Sequence, residues 1–226
     1  MVIVKVKKIA ILGGTGLLGS ALAYRLAKVG YEILIGSRNP EKAFSNVSKI
    51  NKRLKKNKIS VESNYKASEK SELIILTVPF ANHLKIIQEI STVVQHKILI
   101  DTTVPLVPPI VAKVQLPEYG SVAKKTQELL GKDVYVVSAF QNIAASHLDL
   151  DETIEGEVLV FGNNKDAREK VISIIKSIGL KGWHSGSIDN SIVTEALTST
   201  LIFMNKYYKI DGSGIKIVGI IKSNKG

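Results

Sequence analysis

The sequence contains no cysteine among its 226 residues. Disulfides, thiolate metal sites and cysteine nucleophiles are therefore excluded, and we expect a reducing, cytoplasmic setting. The sequence also lacks any run of about 18 uninterrupted apolar residues, which disfavours a membrane span. The apolar N-terminal segment carries Lys5, Lys7 and Lys8 and no small-residue cleavage site, so a strand fits it better than a signal peptide.

Aromatic residues are also scarce, at 6% of the chain, but 45% of the residues are apolar and the mean hydropathy is +0.14. These values exclude a disordered composition and allow a sizeable core. The length suits one domain with an appendage, or one large and one small domain.

Acidic residues are nearly absent from the first part of the chain. Residues 1–60 hold 13 lysines and arginines but only Glu32 and Glu41, whereas the remainder holds 18 basic and 18 acidic groups. The net charge of +11 therefore lies entirely in the first sixty residues and is densest at Lys49 to Lys58. A solvated helix face explains this excess most simply, and a field that attracts an anionic cofactor is the alternative. Nucleic-acid binding is disfavoured, because no aromatic residue interleaves the run.

Apolar runs alternate with segments of helical periodicity through the first 140 residues, which predicts a Rossmann-type, doubly wound parallel sheet. The expected strands are Lys8–Gly13, Glu32–Gly36, Ile59–Ser63, Glu72–Val78, Lys97–Thr102 and Asp133–Ser138. The expected helices are Leu17–Val29, Pro40 toward Leu54, Ala81–Val94 and Ser121–Leu130.

The pattern changes after Phe140, so we predict a larger domain over residues 1–140 and a small C-terminal α/β domain over residues 141–226. The second part should contain strands at Glu157–Gly162 and Gly182–Ser185 and helices at Lys165–Ile178 and Ser191–Tyr207. Its glycine-broken tail is expected to pack back on the body of the protein.

A glycine-rich loop directly follows the first expected strand and opens the first expected helix. It reads Gly14, Thr15, Gly16, Leu17, Leu18, Gly19, which is the G-x-G-x-x-G pattern in the context that dinucleotide binding requires. The first glycine permits the tight turn, the second lets the backbone approach the pyrophosphate, and the third lets helix and strand pack closely. The helix N-terminus then offers N–H groups to the phosphates.

The end of the second strand indicates which dinucleotide binds. NAD-binding chains place an acidic residue there to hold the ribose 2′-hydroxyl, but this sequence has Ser37 and Arg38, followed by Lys42. A serine hydroxyl and a forked guanidinium suit a 2′-phosphate, and Thr15 adds a further hydroxyl. NADP is therefore the expected cofactor, the alternative being that Arg38 is a surface arginine.

Residues for acid–base or metal chemistry are scarce. His83, His96, His147 and His184 form no metal-spaced pair. His83 could lie near the nicotinamide or be an exposed helix residue, and no Tyr-x-x-x-Lys pair stands where a short-chain dehydrogenase needs one. We therefore expect no metal and no catalytic side chain. Hydride transfer between two planar rings needs stacking and orientation rather than a protein nucleophile.

Several motifs together resemble the NADPH-dependent coenzyme F420 reductases, also called F420-dependent NADP oxidoreductases. The resemblance spans about residues 7–220, and its more specific parts are VSAFQNIAA and the NKYYK…GIKI tail. In order, the motifs are GGTGLLG, IGSR, LTVPF, DTTVPL, EYGSVA, VSAFQNIAASHL and NKYYKIDGSGIKIVGI.

The resemblance implies a cytoplasmic enzyme that moves a hydride between NADP(H) and the deazaflavin coenzyme F420. It implies that Thr15, Ser37, Arg38 and Lys42 hold the 2′-phosphate and that Val78 and Pro79 line the nicotinamide. It also implies that the deazaflavin pocket is bordered by Gln141, Asn142, Ile143, Ala144 and Ala145, with Thr198 facing the same cleft. A homodimer is possible.

The sequence departs from some members of this family, which have histidine at the position of Gln141 and arginine at that of Ile192. Two alternatives stay open. One is an NADPH-dependent reductase of another acceptor, such as a flavin, a ferric chelate or a small carbonyl or imine compound. The other is a redox-sensing NADP-binding module without turnover, whose partner is a protein or nucleic acid.

Overall fold

The computed structural model describes residues 6–152 and 154–219. The strands are β1 (Lys8–Leu12), β2 (Glu32–Gly36), β3 (Ile59–Glu62), β4 (Leu73–Leu76), β5 (Ile98–Asp101), β6 (Tyr135–Ser138), β7 (Glu157–Gly162) and β8 (Lys181–His184). The helices are α1 (Leu17–Lys28), α2 (Pro40–Leu54), α3 (Asn64–Glu69), α4 (Phe80–Ile90), α5 (Val122–Leu130), α6 (Ala145–Asp149), α7 (Lys165–Ser177) and α8 (Ile192–Tyr208), with a 3-10 turn at Ile188–Ser191.

The eight strands form one sheet in the order β3-β2-β1-β4-β5-β6-β7-β8. The first six are parallel, and their order places the switch of winding direction between β1 and β4. The predicted Rossmann-type fold is therefore confirmed. β7 runs antiparallel to β6, and β8 runs parallel to β7. Both strands thus extend the same sheet, and the division of the chain near residue 140 stays a prediction.

Two apolar layers cover the two faces of the sheet. One layer joins side chains of α1, α2 and α7 to alternate residues of the strands, such as Ile9 and Ile11, which are wholly buried. The other joins side chains of α3, α4 and α5 to the intervening residues, such as Ala10 and Leu12. This alternation follows from the two-residue repeat of a strand and leaves the carboxyl edge of the sheet open for ligands.

The helices begin and end at local signals in the sequence. Pro40 occupies the first turn of α2, and the side chain of Asn39 accepts a hydrogen bond from the amide of Lys42 at 3.1 Å. Gly30, which follows α1, has a φ of 106°, as expected for a glycine beyond a helix end. The sequence did not predict α3 and α6, which have six and five residues and no apolar repeat long enough to detect.

Among the described residues, no helix combines the length and apolarity that crossing a bilayer requires. α8 is the longest helix, with 17 residues. Beyond it, the tail packs back as expected: the carbonyl of Ile215 accepts the amide of Glu157 at 3.0 Å.

Candidate functional site: a phosphate cleft and a neighbouring cavity

The glycine-rich loop connects β1 to α1 at the carboxyl edge of the sheet. A Cβ on Gly19 would lie 2.7 Å from the carbonyl oxygen of Gly13 and 2.7 Å from Oγ1 of Thr77, so only glycine allows α1 to pack this closely. A Cβ on Gly16 would meet only the oxygen of Gly13, at 3.4 Å, and it would otherwise face open space. No side chain caps the N-terminus of α1. The loop therefore leaves its backbone accessible to an anionic group at this helix end.

A cleft of about 990 Å³ opens beside this loop. Nine of the residues predicted to bind NADP line it: Thr15, Gly16, Leu17, Leu18, Ser37, Arg38, Lys42, Val78 and Pro79. Gly14 and Gly19 are not among the lining residues, because they pack against β2, β1 and Thr77 behind the loop. The carboxyl ends of β1, β2 and β4 thus bring most of the predicted NADP-binding residues into one space.

The charge of the cleft is one-sided. Arg38 and Lys42 line it, and none of the described residues that line it is an aspartate or glutamate. Ser37 forms a turn in which its Oγ donates to the carbonyl of Asn39 at 3.0 Å and accepts the amide of Asn39 at 3.1 Å. This turn, with the Asn39 cap of α2, sets the start of the helix that carries Lys42. The corner beyond β2 therefore suits a doubly charged phosphate.

The opposite end of the cleft is mostly apolar. Val78 and Pro79 follow β4, and Leu106, Pro108 and Val111 come from the long segment after β5. Within the described part of the chain, the polar residues that line this end are uncharged: Thr77, Asn82, Thr102 and Thr103. This end therefore fits a planar ring but offers no side chain with a pKa suited to proton transfer near neutral pH.

His83 lies beneath this end, not on the surface. Its side chain is 1% exposed, and its Nε2 is 2.9 Å from Oδ2 of Asp101 and 3.0 Å from Oγ1 of Thr126. The prediction of an exposed helix residue is therefore wrong, because α4 turns this position toward β5. Burial acts to raise the pKa of Asp101, but the charge of His83 and hydrogen bonds from His83, Thr126 and Thr103 hold it below its ordinary value.

Gln141 connects this buried group to the C-terminal part of the chain. Its side-chain Nε2 donates to the backbone carbonyl of Asp101 at 2.9 Å and to Oγ of Ser138 at 2.8 Å. Its backbone carbonyl accepts a hydrogen bond from Oγ1 of Thr198 at 2.9 Å. Among the described residues, its buried Oε1 has no hydrogen-bond partner. The side chains of Gln141 and Thr198 line neither the cleft nor the cavity described next.

A second cavity, of about 440 Å³, lies beside the segment after β6. Three of the residues predicted to border the deazaflavin line it, namely Asn142, Ile143 and Ala144, whereas Ala145 begins α6 behind them. The other lining residues are His147, Leu150, Glu152, Ile154, Glu155, Gly156, Gly212, Gly214, Ile215 and Lys216. Asn142 is held in place by β7, since its Nδ2 donates to the carbonyl of Glu157 at 2.6 Å.

Glu157, which sequence reasoning missed, anchors the tail on this side. Its Oε2 accepts the amide of Ile217 and Nε1 of Trp183, both at 2.7 Å. The hydrogen bond from Ile217 is the largest influence that holds the pKa of Glu157 below its ordinary value, and Trp183 and Lys181 act in the same direction. An acid at the start of an otherwise apolar strand is the one signal that could have identified it.

Glu195 on α8 is a second acid that sequence reasoning missed. Although it is only 1% exposed, its carboxylate accepts the amides of Val122 and Ala123 at 2.8 Å and 3.2 Å and Oγ of Ser121 at 2.9 Å. It thereby ties α8 to the N-terminus of α5, where a negative charge is favourable. Burial nevertheless raises its pKa to about 7. The sequence signal that could have identified Glu195 is its position as a single acid within the apolar sequence of α8.

Comparisons with known proteins agree with this geometry. The profile of the family described as NADP oxidoreductase coenzyme F420-dependent matches residues 8–105. The F420-dependent NADP reductase of Methanocaldococcus jannaschii is 38% identical over 94% of this chain and 99% of its own length. That of Methanothermobacter thermautotrophicus is 33% identical over 97% and 98%.

A solved structure is similar as well. It is from Arthrobacter sp. FB24, of a protein proposed to be an F420-dependent NADP reductase, and it has a TM-score of 0.80 and 23% identity. It covers 95% of this chain and 100% of that chain, which supports the fold. Since sequence relatives more than 30% identical span nearly the whole chain, this protein belongs to the F420-dependent NADP reductase family.

Proposed function

We propose that this protein transfers a hydride between NADP(H) and the deazaflavin coenzyme F420. The observation that carries this proposal is the cleft after β2, which presents Arg38 and Lys42 and no acidic side chain beside a glycine-rich helix N-terminus. An NAD site would require an acid at that corner. The second cofactor, F420, is inferred from the two relatives, which are named F420-dependent NADP reductases.

The NADP side of the site consists of the glycine-rich loop, the corner after β2 and the residues after β4. Gly14, Gly16 and Gly19 shape the loop, and the backbone at Leu17 and Leu18 faces the pyrophosphate. Thr15, Ser37, Arg38 and Lys42 bind the 2′-phosphate by hydrogen bonds and charge. Val78 and Pro79 pack against one side of the nicotinamide and exclude water from it.

The acceptor side comprises the segment after β6 and the start of α8. Asn142, Ile143, Ala144 and Ala145 form one border of the deazaflavin site, with backbone N–H groups toward the polar edge of the ring. Gln141 and Thr198 hold that border against β5, which their hydrogen bonds support. Residues 141–226 act as the part of the chain that completes the deazaflavin site.

The chemistry needs little from the protein beyond this positioning. Bound NADPH supplies the hydride, and the ring end of the cleft contributes only apolar and uncharged lining groups. Such a lining packs against the nicotinamide and keeps water away from it, while the border formed by residues 142–145 positions the deazaflavin. This proximity and orientation lower the barrier. A carbonyl reductase would need a positioned acid in addition.

We also propose a homodimer that pairs through α8. Phe203 and Tyr207 stack with ring centroids 5.7 Å apart, although they are 53% and 68% exposed. Aromatic residues such as phenylalanine and tyrosine are enriched in protein–protein interfaces. Light scattering of the wild type and of Tyr207→Glu would test this: the variant should be monomeric, and a monomeric wild type would contradict the pairing.

The proposed function is tested by mixing the purified protein anaerobically with NADPH and, in separate arms, deazaflavin, FMN and a ferric chelate. Absorbance should show NADPH oxidation with the deazaflavin at least about 10-fold faster than in the other arms. Faster turnover with FMN or iron would indicate a reductase of another acceptor. Tight NADPH binding without turnover in any arm would indicate a sensor.

A further inference from the structure

Arg25 on α1 makes several hydrogen bonds to backbone carbonyls. Its guanidinium donates to five of them, all in the second half of the chain. These are the carbonyls of His147, Leu148, Leu150, Glu152 and Ile178. The Nε–Leu148 oxygen distance is 2.7 Å and the Nη1–Ile178 oxygen distance is 3.0 Å.

These carbonyls lie at the ends of two helices. α6 ends at Asp149 and α7 at Ser177, so Arg25 serves the unpaired carbonyl ends of both. The C-terminus of a helix carries partial negative charge, and a planar guanidinium with five N–H groups can serve several carbonyls at once. A lysine ammonium has three donors at one point and cannot span the same acceptors.

The segment held by Arg25 forms a wall of the second cavity. Leu150 and Glu152, whose carbonyls it binds, both line that cavity, and Ile143 and Ala144 stand just before the same helix. The opposite wall is joined to this one, because Nε2 of His147 lies 2.6 Å from the carbonyl oxygen of Asp211 in the tail. The position of Arg25 therefore sets the position of α6 and, through His147, that of the tail.

The other cations near this segment are more exposed. Arg53 pairs with the side chain of Asp149 at 2.7 Å and also donates to its backbone carbonyl at 2.6 Å. Among the described residues, Lys28 forms an ion pair only with the side chain of Asp151, at 2.6 Å. In both ion pairs the side chains are about one-third to two-thirds exposed. Exposed pairs contribute little. Burial lowers the pKa of Arg25, and the nearby Asp151 opposes this effect. Arg25 is thus the half-buried centre of a contact that uses part of the N-terminal basic excess.

We propose that Arg25 is a positioning residue for the hydride acceptor: it holds the segment 143–152 so that the second cavity has the shape that receives the deazaflavin. This assignment rests on the proposed function, because it takes the ligand beside Ile143 and Ala144 to be the deazaflavin. Arg25 touches neither cofactor in this account. It acts through the backbone of α6 and the residues that follow it.

The test compares Arg25→Met, which keeps much of the side-chain length but removes every donor, with Arg25→Lys and with the control Lys28→Met, which loses only an exposed ion pair to the same segment. In Arg25→Met the KM for deazaflavin should rise by about 10-fold or more, while the Kd for NADPH stays within about 2-fold of wild type. Arg25→Lys should recover part of the loss. Lys28→Met should remain close to wild type.

Hydrogen exchange of the protein without deazaflavin gives a readout that does not depend on turnover. In Arg25→Met the amides of residues 143–152 should exchange about 10-fold faster, while those of β1, β4 and β5 remain unchanged. Unchanged exchange in 143–152 would overturn the proposal, as would equal losses of affinity for NADPH and deazaflavin.

The proposed function can fail separately from this assignment. If the wild type reduces no deazaflavin, the proposed function fails and the acceptor role of Arg25 fails with it. The exchange result still decides whether Arg25 holds the segment.

Discussion

The Nε2 atom of His83 lies 2.9 Å from Oδ2 of Asp101, and each of the two side chains is 1% exposed. Removing one partner of a buried pair leaves a charge without compensation, which costs about 3–5 kcal/mol. We therefore expect His83→Ala to lower the free energy of unfolding in urea by about that amount. His83→Gln, which keeps a donor, should lose less. A loss below about 1 kcal/mol in His83→Ala would show that Thr126 and Thr103 satisfy Asp101 alone.

Glu195 should make stability depend on pH in a defined direction. Its pKa is about 7 in the folded protein, above the ordinary value of 4.5. The folded state holds the proton of Glu195 more tightly than the unfolded state does, so the protonated side chain adds to the free energy of unfolding. This stabilisation is fully present below about pH 4.5 and is lost as the pH rises to about 7. Urea unfolding from pH 4 to 8 should show this loss in the wild type but not in Glu195→Gln. Parallel pH profiles of the two proteins would contradict this assignment.

Substitution of Gly16 should affect cofactor binding, whereas substitution of Gly19 should affect folding. Gly16 has a φ of −75° and space for a Cβ, so Gly16→Ala should fold normally but keep the pyrophosphate away from the loop. We expect its NADPH affinity, measured by titration, to fall by about 10-fold or more, or about 1.4 kcal/mol. Gly19→Ala should instead destabilise the fold by about 1–3 kcal/mol, because its Cβ meets backbone. Unchanged affinity in Gly16→Ala would place the pyrophosphate elsewhere.

Arg38 should determine the preference for NADPH over NADH. Hydrogen bonds to charged groups contribute about 1.5–3 kcal/mol, so Arg38→Ala should weaken NADPH binding by about 10- to 100-fold. NADH has no 2′-phosphate, so its affinity should change little. The exposed Lys55 at the far end of α2 provides a matched control, Lys55→Ala. Equal affinity of the wild type for the two dinucleotides would refute the assignment of this corner.

Much of the fold could be predicted because its signals are local. The apolar runs of β1, β2, β4 and β5 and the proline at the start of α2 are each read from a few neighbouring residues. The glycine loop and the acid-free end of β2 likewise predicted one side of the site. The short helices α3 and α6 were not predicted, because neither is long enough to show an apolar repeat.

The rest depends on contacts between distant parts of the chain. Arg25 binds a carbonyl 123 residues away, and Glu195 accepts an amide 73 residues away. No spacing in the sequence marks such pairs, because a backbone carbonyl or amide is the same at every position. The antiparallel step from β6 to β7 likewise rests on the pairing of Ser138 with Phe161, which lies 23 residues later in the chain (161 − 138).

The central claim is that a hydride passes directly between two bound cofactors, without a proton-transferring side chain. It is tested most directly by anaerobic turnover with NADPH deuterated at C4, in both stereochemical forms, followed by mass spectrometry of the reduced deazaflavin. We predict that one form delivers its deuterium to the deazaflavin ring carbon without loss to water. Deuterium recovered in the solvent, or an unlabelled deazaflavin product from both forms, would contradict the account.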